Sequence, residues 1–133
     1  MAALIRNLAL LVAIATAACL SPTSPDAVVG KPFELKAGAT ALLSDGARIQ
    51  FTAVSGDSRC PMDAQCVWAG DATVAISVSQ SGKPAEACEL HTQQSGSQLS
   101  CGDYVITLRA LAPYPRSGKT IAAQDYVATL LVQ

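Results

Sequence analysis

From Phe33 to the end of the chain, hydrophobic positions recur at every second residue rather than at helical spacing. Successive side chains of an extended strand point to opposite faces, so this period predicts strands with one buried face. "PFELKAG" sets Phe33 and Leu35 against Glu34 and Lys36, and "DATVAISVSQ" sets Val74, Ile76 and Val78 against Thr73, Ala75, Ser77 and Ser79. "DYVITLRALAPYP" aligns Tyr104, Ile106 and Leu108 opposite Thr107 and Arg109 until Pro113 and Pro115 end the run. "QDYVATLLVQ" closes the chain with Tyr126, Ala128, Leu130 and Val132 in phase. No stretch combines helix caps with an apolar helical stripe. The expected fold class is therefore all-β, a single antiparallel β-sandwich or partly open barrel of about seven strands spanning residues 32–133.

Turn chemistry predicts two hairpins. In "ALLSDGARIQFTAV", Asp45-Gly46 separates two apolar runs, and a two-residue turn there places Leu42 opposite Ile49. In "ACELHTQQSGSQLSCGDY", a turn at Gln94-Ser95 opposes Cys88 to Cys101 and Leu90 to Leu99. A turn centred on Ser95-Gly96 would instead put Asp103 opposite Cys88.

Ahead of the strands, "MAALIRNLALLVAIATAACLSPTSPDA" has the layout of an export signal. Arg6 forms the positive region, Leu8 to Ala15 the apolar region, and "ATAAC" a cleavage zone of small residues. Residues 1–18 are thus expected to be removed, and the apolar run is short for a membrane span. Residues 19–31, opening with a proline- and serine-rich segment, suit a flexible tether. "TAAC" resembles the lipobox of bacterial lipoproteins, with Thr16 where leucine is preferred. That resemblance implies lipidation of Cys19 and attachment to a membrane; the competing expectation is ordinary cleavage that leaves Cys19 as a spare thiol.

Export changes how the cysteines are read, because an oxidising compartment favours disulfides. Of five cysteines, Cys19 is the odd one, leaving Cys60, Cys66, Cys88 and Cys101. The economical pairing joins Cys60 to Cys66 locally and Cys88 to Cys101, although Cys60 or Cys66 could also reach across to the second pair. Five residues between Cys60 and Cys66 fit neither a zinc knuckle nor a C-x-x-C redox motif, so no metal or cofactor is expected.

Charge and composition exclude further classes. The formal net charge is −1, and losing Arg6 with the signal makes it one unit more negative, so no basic surface is available for nucleic acid. The single histidine, His91, lies amid polar residues and reads as a solvated strand residue rather than a catalytic base. "PRSGKT" lacks the first glycine of a phosphate loop and the helix to follow it. No catalytic residues are assigned.

The densest chemistry is "DSRCPMDAQCVWAG", residues 57–70, between two predicted strands. Asp57, Asp63 and Asp71 read first as turn formers at strand ends. Arg59 is expected to brace the loop by pairing with Asp57 or Asp71. Trp68 is expected to pack its indole over the Cys60–Cys66 disulfide, with an exposed recognition anchor as the alternative. Asp57, Arg59, Trp68 and Asp71 are therefore the candidate recognition set. The block, with the later "LAPYP" and "DYVATLLV", resembles a family of small bacterial secreted or lipid-anchored proteins over the chain from about Phe33 onward. The resemblance implies an exported β domain and carries no activity with it. The function expected is a non-catalytic binding or structural role in the cell envelope, with an unidentified envelope protein or ligand as partner; the alternative is an inhibitor of a secreted hydrolase, acting through the Cys60–Cys66 loop.

Overall fold

The computed structural model describes residues 26–133. Eight strands form: β1 (Phe33–Lys36), β2 (Thr40–Leu42), β3 (Arg48–Asp57), β4 (Ala72–Ser79), β5 (Glu86–His91), β6 (Gln98–Cys101), β7 (Tyr104–Ala112) and β8 (Val127–Val132). They make two antiparallel four-stranded sheets, ordered β1-β8-β7-β6 and β2-β3-β4-β5. The two sheets share one hydrophobic core, with Ile49, Phe51, Val74, Ile76 and Leu90 from one and Leu108, Ala128, Leu130 and Val132 from the other. This is the expected sandwich, not closed into a barrel. Period-two alternation determines the inward faces: β4 alternates buried and half-buried residues from Ala72 through Val78, and β8 does so throughout.

Three local expectations need correction. In the first hairpin Leu42 faces Arg48, and Ala41 is the residue opposite Ile49. The loop holds three residues rather than two. Leu43 and Ala47 flank it, Gly46 adopts a left-handed φ of 92°, and the Asp45 carboxylate accepts the Ala47 N–H at 3.1 Å. This capped geometry moves the register by one, which turns Leu43 rather than Leu42 fully into the core.

Cys88 and Cys101 are bonded, as expected, but not across a hairpin. β5 pairs with β4, and β6 pairs with β7. The short 3₁₀ turn Gln94–Gly96 carries the chain from the edge of one sheet to the edge of the other. The disulfide therefore clips the two sheets together along one side of the sandwich. Leu90 is buried in the core, whereas Leu99 pairs with Ile106.

Residues 26–30, expected to belong to a flexible tether over 19–31, are docked on the domain. Ala27 is buried and bridges to Leu43, the Asp26 carboxylate accepts the Leu42 N–H at 3.0 Å, and the Gly30 N–H donates to the Val132 carbonyl at 2.7 Å. "DAVVG" is docked because Ala27 and Val29 bury apolar surface that polarity averaged over "SPTSPDA" conceals. The expected signal 1–18, Cys19 and the part of the expected tether up to Pro25 lie outside the described residues.

Candidate recognition loop

The segment 58–71 joins β3 to β4, which are adjacent and antiparallel. Its two ends continue their ladder: Ser58 N–H donates to the Asp71 carbonyl at 2.7 Å, and Cys60 N–H donates to the Ala69 carbonyl at 2.9 Å. Gly70 makes this stem possible. Its φ is 70°, and a Cβ there would lie 1.8 Å from the Ser58 carbonyl oxygen, so only glycine fits. Above the stem, Cys60 and Cys66 are joined by a disulfide that closes a small ring.

Under the loop lies Arg59, 6% exposed. Its guanidinium grips Asp57 twice, Nε to Oδ1 at 2.8 Å and Nη2 to Oδ2 at 2.7 Å. It also donates to the Leu111 and Pro113 carbonyls at 2.7 and 3.0 Å, and stacks 5.0 Å from the centre of the Tyr114 ring. Arg59 thus ties the loop to the end of β7 and braces it through Asp57, not Asp71. Burial would raise the Asp57 carboxyl, but hydrogen bonds from the Arg59 side chain and backbone and from the Tyr126 hydroxyl outweigh it and hold the group below its ordinary value of 3.8.

Asp71 has a separate task. Its carboxylate accepts from the His91 ring at 2.6 Å, the Thr92 hydroxyl at 3.0 Å and the Gln93 N–H at 3.1 Å. Those bonds overcome the opposing effect of burial and likewise hold the carboxyl low. His91 is consequently not a freely solvated residue; it is half-buried and fastens β5 to the loop stem. Asp63 accepts the Ser117 N–H at 2.8 Å and Met62 N–H donates to the Pro115 carbonyl at 3.0 Å, so the ring docks on the segment after the cis Ala112–Pro113 bond.

Trp68 does not pack over the disulfide. It is 82% exposed, beside Val67 at 92%, and Met62 on the same loop is also exposed. The buried place beneath the loop is taken instead by Arg59, held by Asp57 and by the Leu111 and Pro113 carbonyls. Of the four candidate recognition residues, Asp57, Arg59 and Asp71 hold the scaffold and Trp68 alone faces solvent. Sequence reasoning missed the exposed Val67 and Met62 on the same loop; adjacency within "CVWAG" was a signal for Val67 alone.

Among the described residues, the cluster Glu86, Cys88 and Cys101 has metal-ligand spacing, but its two sulfurs are bonded to each other. No helix among those residues is long and apolar enough to cross a membrane. Two disulfides are the mark of an oxidising, exported location. Comparison with known proteins finds no matching family model, no matching curated protein and no matching solved structure.

Proposed function

We propose that this chain is an exported, lipid-anchored recognition domain of the cell envelope that binds another envelope protein, without catalysis, through Trp68, Val67 and Met62. The observation that carries this reading is an almost fully exposed tryptophan on a loop that is otherwise fastened at every level. An exposed indole next to an exposed valine, with an exposed methionine on the same loop, is unfavourable in water, and tryptophan is enriched at the energetic centres of protein interfaces. A loop already held by a disulfide, a ladder stem and a buried arginine loses little further entropy on binding. The signal-like N-terminus and "TAAC" support the envelope location and the anchor in this reading.

The same constrained loop supports a second reading, inhibition of a secreted hydrolase with Trp68 entering its cleft. A photo-crosslinking residue in place of Val67, expressed in the native envelope, tests both. The expected result is one principal crosslinked protein whose yield collapses in the Trp68→Ala background; if that protein is a hydrolase blocked by the purified domain, the inhibitor reading holds. No crosslink, or a crosslink indifferent to Trp68→Ala, would overturn the proposal.

A further inference from the structure

β6 has four residues and covers β7 only from Tyr104 to Thr107, whereas β7 continues to Ala112. Beyond that point no strand among the described residues lies beside this flank of β7. An open cavity of about 650 Å³ occupies the gap, bounded by the loop stem at Gly70, the 3₁₀ turn at Gln94, the segment Leu108–Leu111 and the Tyr114 ring. Small-molecule sites fall at roughly 300–1,000 Å³.

A bulge decides what lines it. The pairing of β7 with β8 slips between Leu108 and Ala110, so strict alternation fails there. Leu108 and Leu111 both end up buried, and Arg109 and Ala110 both exposed between them. The cavity therefore combines an apolar floor with a cationic wall. Two arginines line it, but only one charge is unspent: Arg59 is neutralised by Asp57, while Arg109 has no acidic partner and no side-chain hydrogen bond among the described residues. No acidic residue lines the cavity, in a chain whose formal net charge is negative.

We propose that this cavity binds a small amphipathic carboxylate, its apolar body on Leu108, Leu111 and Tyr114 and its carboxylate on Arg109. A guanidinium presents paired donors that match a carboxylate's two oxygens, and the half-enclosed wall strengthens the contact relative to open water. The site is distinct from the recognition surface, since Trp68 does not line it.

Calorimetric titration of the purified protein with naphthalene-2-carboxylate, and with naphthalene-2-carboxamide as its uncharged match, tests this. Saturable one-to-one binding of the carboxylate is expected, with amide shifts centred on Gly70, Gln94 and Leu108–Leu111. The carboxamide, and the carboxylate with Arg109→Gln, should each bind about tenfold more weakly, equivalent to about 1.4 kcal/mol. Trp68→Ala should leave carboxylate affinity unchanged, so this site and the partner surface fail separately. Absence of saturable binding, equal affinity for carboxylate and carboxamide, unchanged affinity in Arg109→Gln, or shifts centred elsewhere would overturn the inference.

Discussion

Arg59 reaches back two residues to hold both oxygens of Asp57, and both side chains are withdrawn from solvent, 3% and 10% exposed. A pair so placed is sensitive to the loss of either member, because the survivor keeps its charge without its solvent. Asp57→Asn is expected to lower stability by about 3 kcal/mol at neutral pH, measured by denaturant unfolding. The acid limb follows from the same pair. The folded carboxyl is held below its ordinary 3.8, so its stabilisation is complete above that value and is lost as pH falls through and below it. The wild-type melting temperature should therefore fall across that window, and Asp57→Asn should flatten the fall; an equally steep fall in the variant would contradict the assignment.

The two disulfides differ in what they join. Cys60–Cys66 closes a ring within one loop, with a separation of 6, and Cys88–Cys101 clips two sheets, with a separation of 13. On chain-entropy grounds the double alanine variants should lose roughly 2 and 3 kcal/mol respectively, measured by urea unfolding without reductant. Loss of the second clip should also expose the β5 and β6 edges to protease. Peptide mapping that recovered any other pairing would refute both expectations.

Gly70 and Gly82 share a left-handed φ, 70° and 76°, yet substitution should separate them. A Cβ at Gly82 meets nothing within 4 Å, so Gly82→Ala carries only backbone strain, about 1 kcal/mol. At Gly70 the same atom would meet the backbone of Ser58 and Arg59, which cannot step aside without opening the stem. Gly70→Ala should lose about 3 kcal/mol or more and increase amide exchange at Cys60 and Ser58. Equal losses at the two sites would show that the stem gives way cheaply.

Lipidation of Cys19 would determine where the domain works. The wild-type protein is expected to partition into the detergent phase with a modified N-terminal cysteine, and Cys19→Ser to release it into the soluble fraction. An unmodified, wholly soluble wild-type protein would remove the anchor from the proposal and leave the Trp68 surface standing.

Strand identity was legible because alternation is a local property: the inward sets Val74-Ile76-Val78 and Ala128-Leu130-Val132 needed only their own segments. Bulges escaped that logic. Two interrupt the β3–β4 ladder and one lies at Leu108/Ala110, and each depends on a partner strand that the segment itself does not specify. His91 reads as solvated beside its sequence neighbours. Its partner Asp71 is brought to it by the β4–β5 pairing, through which His91 also lies opposite Thr73.

By itself the sequence determined the class of fold, the core faces of β4 and β8 and the position of the stapled loop, and it favoured the cysteine pairings that form, since each rests on short-range pattern or on counting. Tertiary structure alone decided that Cys88–Cys101 joins two sheets, that Arg59 takes the buried place beneath the loop, and that Trp68 is left in water. Burial is a competition for a finite volume, and its outcome depends on residues such as Leu111, Pro113 and Tyr114, some fifty positions away, that no local reading of "DSRCPMDAQCVWAG" contains.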